Sequence, residues 1–120
     1  NNTNQKIIRA LRQIKPDLYL VAEAGYAGLN ADGSINPIEA GRSFEGGRTF
    51  GSSNNYQLIS LFYDLATGVD VYGTSHPNTK NNGEFFINQY VKNLLPYVSK
   101  YTDFTFVENH DQSRFLTLFT

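Results

Sequence analysis

"LYLVAEA", residues 18–24, is an unbroken apolar run that ends in a carboxylate. Leu18 to Ala22 show no polar alternation, which is the pattern of a parallel strand covered on both faces. Glu23 stands where that strand would end. A second stretch, "TFVENHDQSRF" at residues 105–115, has the same form. Its apolar run, begun at Phe104, breaks off into Asn109, His110 and Asp111. In closed barrels and open parallel sheets the active site lies at the C-terminal ends of the strands. Two acids ending two parallel strands would therefore face one cleft.

The segments between these strands alternate in the way an α/β chain requires. Asn4 to Ile14 carries Ile7, Ile8, Leu11 and Ile14 at helical spacing, with Thr3 or Asn4 as its cap and Pro16 as its stop. Residues 25–55 are rich in Gly, Asn and Ser and read as one long loop, a length usually associated with function. Tyr56 to Ala66 is helical, with Leu58, Ile59, Phe62, Leu65 and Ala66 on one face and Gly68 placed to end it. Val69 to Tyr72 reads as a short strand, a helix extension or a loop. A second polar loop, residues 73–83, holds His76, expected to be exposed, and a solvated tip at Lys80 to Asn82. Glu84 to Lys100 returns to helix, kinked or split by Pro96, with Phe86, Tyr90, Leu94 and Val98 on one face.

Composition removes several classes of function. The chain of 120 residues is one domain or part of one, and its net charge of −1 gives no electrostatic case for nucleic acid or an anionic membrane. No window approaches the roughly 18 apolar residues that span a bilayer. With 0 Cys there is no disulfide scaffold, thiolate metal site or cysteine nucleophile. The compartment stays open, with an extracellular setting slightly favoured. With neither Met nor Trp beside 8 Tyr and 9 Phe, and an NNTNQ start, the chain is expected to be a piece of something longer.

The paired carboxylates narrow the chemistry. Two histidines without HExxH or His-x-His spacing make a transition-metal site weak. No glycine-rich phosphate loop precedes a helix, and no GxSxG elbow is present. Glycoside chemistry fits better. Glu23 would serve as proton donor to a departing sugar oxygen, and a carboxylate at Asp111 would stabilise oxocarbenium charge. Asn109 and His110 would bind sugar hydroxyls, and Tyr26, Phe50, Tyr56 and Tyr72 could stack on sugar rings. Residues 28–39, "GLNADGSINPIE", match a calcium loop at several positions, but Gly28 stands where the first ligand belongs, and a turn at Asp32-Gly33 explains them more simply.

"TFVENHDQSRF" resembles the fourth conserved region of the α-amylase family of glycoside hydrolases, at the end of strand seven of a (β/α)8 barrel. "LYLVAEA" is similar to that family's third region, where strand five ends in the general acid/base. The resemblance implies an α/β fold: a partial (β/α)8 TIM barrel, from the helix after strand four to the end of strand seven, with residues 1–120 as a fragment of one catalytic domain. It implies Glu23 as acid/base, Asp111 as transition-state-stabilising aspartate and His110 as a sugar-hydroxyl ligand, with Asn109 supporting the loop and Arg114 ordering the segment after it. The partner implied is an α-glucan or oligosaccharide, with no nucleic acid and no membrane. No cofactor is implied within the segment, although the parent enzyme has room for Ca2+.

The family's nucleophile is an aspartate in an Arg-x-Asp pattern ending strand four, and these residues contain no such pattern. Retaining glycosidases hold nucleophile and acid/base about 5–5.5 Å apart, and Glu23 with Asp111 is not that pair. The segment alone is therefore expected to be inactive. The same motifs also suit a transglycosylase or sucrose-using relative, or a barrel that binds carbohydrate without catalysis.

Overall fold

The structure is a computed structural model that describes residues 2–98, 102–104, 111 and 117. In chain order its elements are α1 (Asn2–Ile14), α2 (Pro37–Phe50), β1 (Ser52–Asn54), α3 (Tyr56–Thr67), α4 (Gly83–Gln89), α5 (Leu95–Val98) and β2 (Thr102–Phe104). Strands β1 and β2 pair in parallel, Ser52 opposite Thr102 and Asn54 opposite Phe104. Ala22 bridges Ser53, again in parallel. Three segments thus run side by side in one direction, with α2 between the first two and α3 to α5 between the last two.

The run Leu18–Ala22 is shorter as a strand than its apolar character suggests. Its described partner, β1, is only three residues long, so the ladder reduces to the bridge at Ala22. Ala22 N–H donates to Ser52 O at 2.9 Å, and Asn54 N–H donates to Ala22 O at 3.0 Å. Ser52 and Ser53 are 0% exposed, and their hydroxyls donate to the carbonyls of Leu20 and Ala22. β1 contains no apolar residue, and these serines satisfy backbone acceptors that would otherwise be buried without partners.

The long loop expected over residues 25–55 contains α2 and β1. Asn36 caps α2, its side chain accepting from Ile38 N–H at 3.0 Å and Glu39 N–H at 3.4 Å, and Pro37 occupies the first turn, where its missing N–H costs nothing. Glu39 pairs with Arg42 at 2.8 Å and Glu45 with Arg48 at 2.7 Å, one turn apart. Gly46 explains how this helix lies against the strand end. A Cβ there would stand 2.7 Å from Ala24 Cβ and 2.9 Å from Ala22 Cβ. Gly46→Ala is therefore expected to lift α2 from the segment bearing Glu23 and to cost about 1–3 kcal/mol, as overpacking does; a denaturant titration measures it.

The core lies between α2, α3 and the α4–α5 region. Ile35, Ala40, Leu58, Leu61 and Leu94 form it, and Leu29, Phe62, Phe86 and Tyr90 pack against it. Phe62 and Phe86 meet with ring centroids 4.9 Å apart. α3 is covered on more than one face, since Gln57, Ser60, Tyr63 and Asp64 are buried along with Leu58, Ile59 and Leu61. Gly68 ends it in the left-handed conformation (φ 77°), its N–H on Asp64 O. The helix expected over 84–100 runs without a break from Gly83 to Val98, and Pro96 lies inside it, as the second residue of α5, rather than splitting it. Its hydrogen-bond register changes where Tyr90–Leu94 forms a π-helical turn between α4 and α5, with Leu95 N–H donating to Tyr90 O.

Other expectations are corrected or resolved. α1 starts at Asn2, so Thr3 and Asn4 lie inside its first turn rather than capping it, and its apolar face is largely uncovered by the described residues, Ile14 being 84% exposed. Of the alternatives open for Val69–Tyr72, the loop is the one observed. Asp70 folds it into a tight turn, accepting from Tyr72 N–H and Thr74 N–H at 2.9 Å each, with Val69 bridged to Ser75. His76 is buried, not exposed. Its Nδ1 lies 2.8 Å from Asp64 Oδ2, the two residues being 3% and 1% exposed. Burial raises the Asp64 carboxyl above its usual range, and the hydrogen bond and charge of His76 offset part of that rise. At the loop tip, Lys80 is exposed as expected, whereas Asn82 caps α4 by accepting from Phe85 N–H. The expected strand residues 105–108 lie outside the described residues.

Candidate active site

Glu23 follows the bridged Ala22 and stands exposed at the end of the three parallel segments. Gly25, two residues on, turns the chain with φ 84°, and a Cβ there would run into the Ser43 hydroxyl of α2. The chain then passes Tyr26 and Ala27 beneath Gln57. That buried amide donates to Tyr26 O at 2.6 Å and Gly28 O at 2.7 Å, and its oxygen accepts from Asn36 N–H at 3.0 Å. Gln57 thus ties the loop after Glu23 and the start of α2 to α3.

The cleft so formed has a volume of about 240 Å³ and is lined by Glu23, Gly25, Tyr26, Ala27, Tyr56, Tyr72 and Asp111. Glu23 and Asp111, 88 residues apart in sequence, share it. Tyr26 stacks on Tyr72 with centroids 4.6 Å apart and planes 16° apart. Burial raises the Tyr72 phenol, and its proximity to Tyr26 adds to the shift. The Asp70 turn holds Tyr72 in place, so the residues that build this aromatic wall come from two separate loops.

Tyr56, the first residue of α3, bridges the two sides. Its hydroxyl donates to Glu23 Oε1 at 3.0 Å. Burial raises its phenol first, the hydrogen bond to Glu23 raises it further, a hydrogen bond from Asn54 opposes, and the charges of Glu23 and Asp111 both add to the rise. A phenol held protonated beside two carboxylates remains a donor. Phe50 is not part of this cleft; it lines a neighbouring cavity of about 440 Å³ on the other flank of Glu23, with Val21, Glu45 and Thr49.

Of the residues singled out in the sequence, Glu23, Tyr26, Tyr56, Tyr72 and Asp111 come together. Asn109, His110 and Arg114 lie outside the described residues. Tyr56, grouped by its sequence position with the ring-stacking aromatics, lines the cleft and also donates its hydroxyl to Glu23. Gln57 and Asp70 carry no sequence signal beyond being polar residues in apolar or turn contexts. The calcium-loop segment is a turn: Asp32 accepts from Ser34 N–H at 2.9 Å and from the Ser34 hydroxyl, and those two contacts hold its carboxyl below the usual range. Among the described residues no group of three or more His, Asp or Glu side chains is placed to hold a metal ion, and no helix is long and apolar enough to cross a membrane. No known protein family, curated protein or solved structure matches the chain.

Proposed function

We propose that this chain is the segment of a retaining, α-amylase-like glycosidase that carries the general acid/base, Glu23, and the transition-state-stabilising aspartate, Asp111, with the nucleophile supplied from outside these 120 residues. The observation that carries this reading is that Glu23 and Asp111 line one cleft with three tyrosines. A partial (β/α)8 barrel accounts for its framework: three parallel segments adjacent in chain order, with helices between them and the acids at one end.

In this reading an α-glucan enters along Tyr26 and Tyr72, whose rings offer the apolar surface that pyranose faces prefer. As the glycosidic C1–O bond breaks, the Glu23 proton passes to the leaving oxygen and the nucleophilic carboxylate takes C1. In this reading the negative charge of Asp111 answers the developing oxocarbenium ion. Glu23, then ionised, removes a proton from the incoming water. Net retention follows from two displacements at C1. Proton NMR of the first product released from an α-glucan by the full-length protein is expected to show the α-anomer. A β-anomer, or no cleavage, would contradict the reading, and transfer to a sugar in place of water would assign the same chemistry to transglycosylation.

A further inference from the structure

Glu23 is exposed and lies on irregular backbone just beyond a single bridged residue. A carboxyl so placed would turn about its side-chain torsions and carry its proton on either oxygen. A proton donor needs the opposite: one oxygen aimed at the leaving group, with the proton on it. Here the side chain is held at one atom. Tyr56 donates to Oε1 at 3.0 Å, and the elements that place Tyr56 also place Glu23. Asn54 N–H donates to Ala22 O at 3.0 Å, which fixes β1 against the residue before Glu23. Asn55 caps α3 by accepting from Leu58 N–H at 3.0 Å, which fixes the helix start at Tyr56. Asn54 also hydrogen-bonds the Tyr56 hydroxyl, so the amide donates to the phenol oxygen while the phenol proton points to Glu23.

We infer that Tyr56 is a positioning residue for the acid/base: by occupying Glu23 Oε1 it leaves Oε2 to carry the proton and directs that oxygen to the departing sugar. The inference rests on the glycosidase reading above. During bond cleavage the proton leaves Oε2 for the glycosidic oxygen, the C1–O electrons stay with that oxygen, and C1 is taken by the nucleophilic carboxylate of the complete enzyme. Tyr56 keeps its own proton throughout. It then holds Glu23 in the same orientation for the return step, when Oε2 accepts a proton from water.

The test is Tyr56→Phe in the full-length protein, which removes the hydroxyl and keeps the ring. Values of kcat/KM are compared on two substrates: a malto-oligosaccharide, whose leaving sugar needs a proton, and α-glucosyl fluoride, whose leaving group does not. The expected result is about a tenfold loss on the oligosaccharide, the scale of one hydrogen bond, and a much smaller loss on the fluoride. Both rates are read from one preparation, so any loss of folded protein cancels in their ratio. Equal losses on the two substrates, or none on either, would overturn the inference. Glu23→Gln assayed alongside separates the two readings. If Glu23→Gln also spares the oligosaccharide, the acid/base assignment falls and the positioning role with it. If Glu23→Gln abolishes that rate while Tyr56→Phe shows no selective loss, the positioning role alone falls.

Discussion

Glu23→Gln in the full-length protein is expected to lower turnover of an unactivated α-glucan by roughly a hundred- to ten-thousand-fold, the range of a lost general acid. Glutamine keeps the volume and can still receive the Tyr56 hydrogen bond through its amide oxygen. It has no acidic proton to give to the leaving oxygen. Because Glu23 is exposed, the substitution leaves no buried group without a partner, and the melting temperature should hold. Binding of malto-oligosaccharide should persist, since the aromatic wall of Tyr26 and Tyr72 is untouched. Rate and affinity therefore part company. Unchanged starch hydrolysis by this variant would refute the assignment.

The second large effect is on stability and lies away from the cleft. His76→Ala removes the partner of Asp64, a carboxylate 1% exposed inside α3. Breaking a buried pair on one side typically costs about 3–5 kcal/mol, because the remaining charge has neither water nor partner. The backbone bonds of residue 76, its N–H to Gly68 O and its carbonyl accepting from the Thr79 hydroxyl, remain in the alanine variant, so the loss measured is that of the side-chain pair. Asp64→Asn is the milder change: its amide oxygen still accepts from the His76 ring N–H, and no charge is buried.

The pH dependence arises from the same carboxyl. Burial raises Asp64 in the folded state, so between its unfolded and folded values the native chain binds more protons than the unfolded one. Its contribution to stability then declines as pH rises through that window and is level above it. Asp64→Asn should remove this decline. Chemical denaturation from pH 4 upward would show it as a narrowing gap between wild type and variant. A constant gap would exclude the proton linkage, and a small loss in His76→Ala would show that the pair contributes little.

Much of the helical framework was legible from apolar spacing. α1 and α3 fall close to where their leucines and isoleucines put them, and Gly68 ends α3 as its backbone chemistry demands, whereas Pro96, expected to interrupt the last helix, lies within α5. α2 escaped because its sequence, PIEAGRSFEGGRTF, holds three glycines and little apolar periodicity. Its signals were local: Asn36 as cap, Pro37 in the first turn and Glu39 three residues after the cap. β1 escaped for a related reason. Ser52 and Ser53 are fully buried, yet hydrophobic patterning cannot find a strand whose inward side chains are hydroxyls bonded to neighbouring carbonyls.

Site residues divided along the same line. Glu23 and Asp111 were visible because acids at the ends of apolar runs are unusual. The burial of His76 was not, since a histidine in a polar loop becomes internal only when a residue 12 positions earlier supplies a buried carboxylate. Nor was the hydroxyl of Tyr56, whose partner is 33 residues away. Contacts of that kind arise from the tertiary approach of strand ends, which no local pattern encodes.

The central claim is that Glu23 and Asp111 face one sugar. A crystal structure of the full-length Glu23→Gln variant with a malto-oligosaccharide tests it most directly. The account predicts a glycosidic oxygen within about 3 Å of the residue 23 amide, with Asp111 against the same sugar ring. An oligosaccharide bound elsewhere, with both residues clear of it, would contradict the account.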